Sequence, residues 1–453
     1  MQNTTSQTRH PLAPLLWLLA AVCLGQALRV YDGTRPDPVA LRWLAASMAL
    51  AGLGTWTKLS VRWPQLPQWT AVLAVALVVG QLAQWLTLPL GKHWLHPREH
   101  LGTLHVLVLV AVASLAATLG QRRRRGLPAA LFMGAMLLIG LWFLHWDGRP
   151  EIDVFEFQQQ GCAALGAGQN PYAMTFANIY PDNTPFYAPG LVVGGRLQFG
   201  YIYPPLLLGL ECPVGLATGD VRFAHWLALL AAAMLTWQAA RNHRSLLAIA
   251  VLLTTPRALF LVEQAWTEPF VILGLAAVLW AALRKPAWLP WIFGAFLGTK
   301  QYLVLVAPLG LLLVDRTQWK PRLLLAFFGR AAVVLAVLHV PALAENPQAF
   351  WRSVVTLQML QPFRPDSLSW LAAWSTDGKP PVGVWIAFIL AMLAVVLNLW
   401  RAPRTPAGFA AAVATVMLAF LALNKQAFWN YYHFPLAALA FAAAVAPEPE
   451  EAV

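Results

Sequence analysis

Long apolar runs alternate with short polar connections along almost the whole chain. A run of about 20 apolar residues is long enough to cross the hydrocarbon core of a bilayer as a helix. The pattern therefore predicts an all-α integral membrane protein, a polytopic helical bundle of about 14 transmembrane helices. The predicted helices lie at residues 11–30, 38–57, 69–90, 101–119, 128–146, 221–240, 245–262, 268–283, 287–298, 301–314, 322–341, 381–400, 406–423 and 430–446.

Two apolar stretches do not fit a simple crossing. The segment 203–216 contains three prolines and Glu211, so we expect it to lie flat in the outer interface as a helix. The segment 289–313 carries Gly298, Thr299 and Lys300 near its middle. One unbroken helix would place that lysine near mid-bilayer, so we expect two short half-helices that bring Lys300 to the outer side. A further interfacial helix is predicted around residues 350–360.

Composition supports a membrane protein, and the basic loops set its orientation. The chain of 453 residues is 59% hydrophobic and 11% charged, whereas soluble domains carry about 25% charged residues. The net charge of +12 comes mainly from short inter-helix loops, a positive-inside pattern that argues against a nucleic-acid partner. The arginine cluster at 122–125 is the strongest of these loops. We therefore expect a multi-pass protein of the cell (plasma or inner) membrane with both termini cytoplasmic and the segment 147–205 outside, on the periplasmic face.

Three parts are predicted along the chain. Residues 1–120 form a four-helix N-terminal membrane extension, and residues 121–446 form the main transmembrane core. The core carries outer loops at 147–220 and 341–380. The acidic tail at 447–453 is expected to be disordered. The first run, at 11–30, is interpreted as an uncleaved helix because no A-x-A-type site follows it.

Polar residues collect at helix ends that are predicted to face outward. The segment 147–205 holds Asp147, Glu151, Asp153, Glu156 and Asp182. Three further clusters interrupt apolar helices: E-Q-A-W-T-E at 263–268, T-K-Q at 299–301 and N-K-Q at 424–426. Their convergence predicts a cleft at the membrane surface. A carboxylate there can accept a proton from a hydroxyl or hold a divalent cation, and lysines or arginines can stabilise a phosphate leaving group.

The outer segment resembles a known family. It reads D-V-F-E-F-Q-Q-Q-G-C-A-A-L-G-A-G-Q-N-P-Y from Asp153 to Tyr172, followed by Y-P-P-L from Tyr203 to Leu206. Together with G-T-K-Q at 298–301 and N-K-Q-A-F-W-N-Y-Y at 424–432, these motifs resemble the GT-C superfamily of membrane glycosyltransferases, most closely bacterial polyprenol-phosphate-mannose-dependent mannosyltransferases. The match covers roughly residues 128–310 well and the C-terminal helices loosely; four extra helices precede it.

The resemblance implies an inverting transfer of a hexose or pentose, with mannose favoured, from a polyprenyl-phosphate donor outside the membrane. It implies a catalytic base or metal neighbour at Asp153, with Asp147 as the competing candidate. Lys300 and Lys425 would contact the donor phosphate. The acceptor is a lipid, a glycan or a protein. No cofactor is assigned, and a divalent cation (Mg or Mn) stays open. The other candidate substrate-binding residues are Gln301, Glu263, Glu268, Tyr172, Tyr203, Tyr432 and His433.

Each candidate also has a structural interpretation. Lys300 and Lys425 can snorkel to headgroups, and Tyr172 can shape a turn with Asn170. A lone histidine such as His433 is more often structural than catalytic. The spacing of Cys162 and Cys212 does not by itself predict a disulfide.

Two other functions stay open. A transporter or flippase of a lipid-linked or anionic substrate would show repeats and mid-bilayer polar residues, and the sequence has no visible repeat. A scaffold protein would leave the acid-rich segment unexplained.

Overall fold

The computed structural model describes residues 10–62, 66–87, 101–120, 126–181, 184, 186–315, 317 and 319–447. Within these ranges the chain is helical apart from short strands and turns. The arginine cluster at 122–125, Asp182 and residues 448–453 of the tail fall outside the described residues, so the predictions made for them stay predictions.

The described residues form nineteen α-helices. They are α1 Ala13–Arg29, α2 Pro38–Trp56, α3 Leu66–Thr87, α4 Leu101–Gly120, α5 Gly126–Trp146, α6 Asp153–Gly166, α7 Pro205–Thr218, α8 Arg222–Ala240, α9 His243–Leu253, α10 Ala258–Glu263, α11 Glu268–Arg284, α12 Leu289–Leu297, α13 Pro321–Glu345, α14 Pro347–Trp351, α15 Leu357–Leu360, α16 Trp370–Ala373, α17 Ile386–Arg401, α18 Pro406–Ala422 and α19 Trp429–Val445.

Several segments next to these helices have 3₁₀ or π hydrogen bonding instead of α-helical hydrogen bonding. The 3₁₀ segments are Val30–Gly33, Pro286–Trp288 and Gln301–Leu313, and one π turn, Arg352–Thr356, joins α14 to α15. Five two-residue strands complete the structure: β1 His10–Pro11, β2 Ser60–Val61, β3 Phe176–Ala177, β4 Val192–Val193 and β5 Arg196–Leu197. β1 pairs with β2, and β5 lies between β3 and β4, all antiparallel.

Helix starts follow local sequence signals. The Asp37 side chain accepts a hydrogen bond of 2.7 Å from the Val39 N–H, and Pro38 occupies the first position of α2. Thr405 and Pro406 repeat this arrangement at the start of α18. A capping side chain satisfies a free N–H, and proline has none to satisfy.

Six of the described helices are long and apolar enough to cross a membrane: α1, α2, α3, α5, α8 and α13. They fit a membrane protein, as the hydrophobic pattern predicted. Several further apolar helices, among them α7, α12, α17 and α18, are shorter.

The break at Lys300 is confirmed, and one predicted helix is wrong. α12 ends at Leu297, and winding resumes at Gln301 with 3₁₀ hydrogen bonding. The span predicted at 245–262 is instead divided into α9 and α10. Pro256 cannot donate within a helix, and Arg257 adopts the left-handed conformation with φ of 65°, so the chain turns there.

The segment after α5 is more ordered than a loop. Residues 153–166 form α6, a helix that the sequence did not predict. α6 packs against α7, and a disulfide joins their Cys162 and Cys212. This pairing corrects the sequence expectation: a separation of 50 residues carries no signal until the two helices are known to be neighbours.

The first two helices pack against the last two helices. α1 packs against α2 and α19, and α2 also contacts α18. α3 and α4 contact each other and α9. The boundary predicted at residue 120 stays a prediction.

Candidate functional site

Asp153 occupies the first position of α6 and is half-buried. Its Oδ2 accepts a hydrogen bond of 2.5 Å from the Tyr187 hydroxyl, and its Oδ1 accepts one of 3.2 Å from the Tyr180 hydroxyl. The Val154 N–H also donates to Oδ1, at 2.8 Å. Three donors therefore hold this carboxylate in one orientation.

Both tyrosines come from the segment between β3 and β4, which folds over the start of α6. Tyr180 packs edge-on against Phe186, with ring centroids 4.7 Å apart. Tyr187 packs against Phe199, with centroids 6.0 Å apart. The aromatic packing fixes the two hydroxyls relative to Asp153, which is how a site is preorganised.

Burial is the main influence on the charge of Asp153. It raises the pKa of the Asp153 carboxyl above its usual value, while the hydrogen bonds from Tyr187, Tyr180 and Val154 and the charge of Arg364 oppose that rise. The balance is an elevated pKa. A carboxylate with a raised pKa is a stronger base than an exposed aspartate, which suits proton abstraction.

Lys300 lies in the break after α12 and is buried, with 6% of its surface exposed. Its Nζ donates to Thr267 Oγ1 and, at 2.9 Å, to Glu268 Oε1. The other oxygen of Glu268 accepts from Asn430 Nδ2 at 3.2 Å. Two of the predicted polar clusters, 263–268 and 299–301, therefore meet at one buried ion pair, which Asn430 at the start of α19 joins.

Three tyrosine rings surround the Lys300 ammonium. It lies 4.9 Å from the centre of the Tyr203 ring, 5.8 Å from Tyr431 and 5.9 Å from Tyr302. Burial raises the pKa of the Tyr203 hydroxyl, and the charge of Asp153 adds to the rise. That Lys300 and Asp153 share one cleft stays a prediction.

Arg364 lies in the turn between α15 and α16. The central carbon of its guanidinium lies 4.5 Å from the centre of the Phe186 ring and 4.8 Å from that of the Phe428 ring. Nε and Nη2 donate to the two oxygens of Asp366 at 2.8 and 2.6 Å. The charge of Arg364 acts on Asp153 and lowers the pKa of its carboxyl.

Asp147 belongs to a different cluster. Its buried Oδ2 accepts from Arg222 Nη1 at 2.7 Å, and Arg222 also pairs with Asp220 at 2.7 Å. Burial and the nearby Glu263 raise the pKa of the Asp147 carboxyl, and Arg222 opposes the rise. An aspartate committed to a buried arginine holds helices together, so the geometry favours Asp153 over Asp147 as a base.

Lys425 caps a helix. Its Nζ donates to the carbonyl oxygens of Gln358, Met359 and Gln361 at 3.2, 3.2 and 2.6 Å. These three bonds use every donor of the ammonium and satisfy the free carbonyls at the end of α15. The geometry therefore favours a structural role for Lys425 over the predicted phosphate contact.

Three more predicted residues tie segments together. Gln301 Nε2 donates to the carbonyls of Ile202 and Val354 at 2.8 and 3.3 Å. The Tyr172 hydroxyl donates to the Tyr203 carbonyl at 3.0 Å, and the Tyr432 hydroxyl donates to the Leu368 carbonyl at 2.6 Å. Their hydroxyl and amide groups are thus occupied by the main chain.

His433 and Glu263 are fully enclosed. The His433 ring stacks on Trp429 with centroids 4.8 Å apart, and neither ring nitrogen has a hydrogen-bond partner among the described residues. Glu263 ends α10 and is buried near Asp147 rather than near Asp153.

The described residues do not assemble a divalent-cation site around Asp153. Within them, the one group of three close metal-ligating side chains is Cys162, Glu211 and Cys212, and both sulfurs are bonded to each other. The described residues around Asp153 therefore offer no set of ligands for Mg or Mn.

Sequence reasoning missed Tyr180, Tyr187 and the placement of Arg364. Tyrosine and proline enrichment after β3 was the available signal, but nothing in it says that two hydroxyls point at Asp153. Comparison with known proteins adds no identification: no protein family matches this chain, and neither does any curated protein or solved structure.

Proposed function

We propose that this protein is an integral membrane glycosyltransferase. It transfers a hexose or pentose, with mannose favoured, from a polyprenyl-phosphate donor to a lipid, glycan or protein acceptor. The observation that carries the proposal is the Asp153 carboxylate, held by the hydroxyls of two tyrosines, one of which packs against Phe186, a ring that Arg364 also contacts. A base, cations and aromatic faces are what transfer of a sugar from a phosphate requires.

The proposed reaction uses one atom of Asp153. Oδ1 already accepts from Tyr180 and Val154, whereas Oδ2 accepts from Tyr187 alone, so Oδ2 keeps a lone pair. The acceptor hydroxyl gives its proton to Oδ2 as its oxygen bonds to the anomeric carbon. The bond from that carbon to the phosphate oxygen breaks, and its electron pair leaves with the polyprenyl phosphate. Attack opposite the leaving group inverts the anomeric centre.

The proposed setting is the outer face of the cell membrane, with about 14 spans and both termini cytoplasmic. The disulfide between Cys162 and Cys212 supports an outer location for α6 and α7, because disulfides persist in oxidising compartments. The lipid tail of the donor would lie along the apolar helices.

A transporter or flippase of a lipid-linked or anionic substrate is the second candidate. The interrupted winding on either side of Lys300 favours it, since broken helices are common at transport sites. Asp153 argues for the transferase, because a base held by three donors has no evident use in transport.

The test is transfer activity in membranes supplied with a panel of radiolabelled polyprenyl-phosphate sugars. Asp153→Asn is compared with wild type and with Glu156→Gln, the same chemical change one turn along α6. Glu156 accepts from Gln160 and does not contact Asp153 through any described hydrogen bond. We expect loss of about 10²–10⁴-fold for Asp153→Asn and near-normal transfer for Glu156→Gln. Near-normal turnover by Asp153→Asn would show that the site is wrong.

A further inference from the structure

Three cations are candidates for a phosphate contact. The sequence predicts Lys300 and Lys425, and the structure adds Arg364, which contacts Phe186, the ring that packs on Tyr180, a hydrogen-bond partner of Asp153. A donor phosphate needs a cation that can release its present partner. The three cations differ in the groups that would lose a partner if a phosphate displaced their present contacts.

Lys300 is held by a group that cannot follow it into water. Releasing Lys300 would leave the carboxylate of Glu268, which is 0% exposed, without its counter-charge. Lys425 has all three donors of its ammonium group bonded to main-chain carbonyls, so a phosphate could bind it only by displacing one of these bonds. Neither lysine can therefore exchange a partner for a phosphate without such a loss.

Arg364 has a partner that water can accommodate. The Asp366 side chain is 45% exposed, whereas the Arg364 side chain is 17% exposed. If an anion took the guanidinium, Asp366 would turn to solvent at little cost, because exposed ion pairs contribute little stability. Arg364 Nη1 also has no hydrogen-bond partner among the described residues, so part of its donor fork is already open.

The guanidinium is held in place independently of Asp366. Its central carbon lies 4.5 Å from the centre of the Phe186 ring and 4.8 Å from that of Phe428, and the main-chain N–H of Arg364 donates to the Lys425 carbonyl at 2.9 Å. These contacts keep the fork oriented while its ionic partner changes. A fixed planar fork matches two oxygens of a phosphate in a way that an ammonium does not.

We infer that Arg364 binds the phosphate of the lipid-linked donor, exchanging Asp366 for two phosphate oxygens. The inference rests on the proposed function for the identity of the lipid. It reassigns the phosphate contact from the lysines to a residue on the turn before α16. Lys425 then acts as a positioning residue, since it holds the turn to which Arg364 is bonded.

The test measures binding of a short-chain isoprenyl monophosphate to the purified, detergent-solubilised protein by calorimetry. Arg364→Gln should weaken binding roughly ten- to hundredfold, the usual effect of losing charge-assisted hydrogen bonds. Asp366→Asn should tighten binding, because the competing carboxylate is gone. A purely structural ion pair predicts the opposite for Asp366→Asn, namely weakening as in Arg364→Gln, and that result would overturn the inference.

Two controls keep the result interpretable. Arg364→Lys retains the charge but loses the planar fork of donors, and it serves as the test if Arg364→Gln fails to fold. It should bind isoprenyl monophosphate less well than wild type. Undiminished binding by Arg364→Lys would contradict a role for the fork. Phosphatidylglycerol in the same micelles distinguishes a donor site from a headgroup site, since equal Arg364-dependent binding of both lipids would refute the donor assignment.

The outcome separates this inference from the proposed function. Sugar transfer with an unchanged donor KM in Arg364→Gln would refute the inference alone. Arg364-dependent binding of isoprenyl phosphate, without transfer by wild type, would support the anion site and refute the transferase.

Discussion

Replacing Tyr187 by phenylalanine removes one hydrogen bond and leaves the ring in place. The Tyr187 hydroxyl lies 2.5 Å from Asp153 Oδ2, a charge-assisted bond that favours the ionised carboxylate. Hydrogen bonds to charged groups contribute about 1.5–3 kcal/mol, which corresponds to roughly ten- to hundredfold in the population of the ionised form.

The direction of the expected pH shift follows from the elevated pKa of Asp153. Its basic form is present above that pKa and is lost as the pH falls through it. The Tyr187 hydroxyl lowers the pKa of Asp153, so Tyr187→Phe should raise it further and move the acidic limb of the kcat/KM profile to higher pH. Activity at pH values above the new limb should largely recover.

The assay is the pH dependence of kcat/KM for sugar transfer. Tyr180→Phe should shift the limb in the same direction but less, because its bond to Asp153 is 3.2 Å. Tyr172→Phe is the matched control, since the Tyr172 hydroxyl donates to the Tyr203 carbonyl instead. Activity lost equally at every pH in Tyr187→Phe would refute a role in tuning Asp153.

The remaining predictions concern the groups around the site. Glu268→Gln should destabilise the protein by about 3–5 kcal/mol by leaving Lys300 buried and unpaired, and a thermal midpoint equal to wild type would contradict the buried pair. Replacing both Cys162 and Cys212 by serine should lower stability by about 2–4 kcal/mol; thiol counting of the unfolded wild type should then find one free cysteine, and three would show that the bond is absent. Lys425→Met should destabilise the α14–α15 segment to proteolysis with at most a modest change in donor KM, whereas a large KM increase in a proteolytically stable variant would restore Lys425 as a direct phosphate contact.

Features with a local physical signal were predictable from the sequence. Apolar length placed most helix ends within a few residues, as at α2 and α18. The break at Lys300 was predictable because a lysine inside an apolar run is costly. α6 was missed because its sequence is too polar and too short to register among membrane helices.

The site depended on contacts between distant segments. Asp153 was identified by resemblance, but its two tyrosine partners lie 27 and 34 residues away, and no spacing rule connects them. The same holds for Arg364, whose neighbours Phe186 and Phe428 come from two segments distant in the sequence. The pairing of Lys300 with Glu268 also needed the packing of α11 against α12.

We propose that Asp153 takes a proton during transfer of a sugar from a lipid phosphate. Release of polyprenyl phosphate from polyprenyl-phosphate mannose, by purified protein in vesicles and with a matched assay of donor binding, tests this proposal. Wild type should release polyprenyl phosphate, and Asp153→Asn should bind the donor as well as wild type but release at least about a hundredfold less. Movement of the intact donor across the vesicle membrane, with no release by wild type, would contradict it.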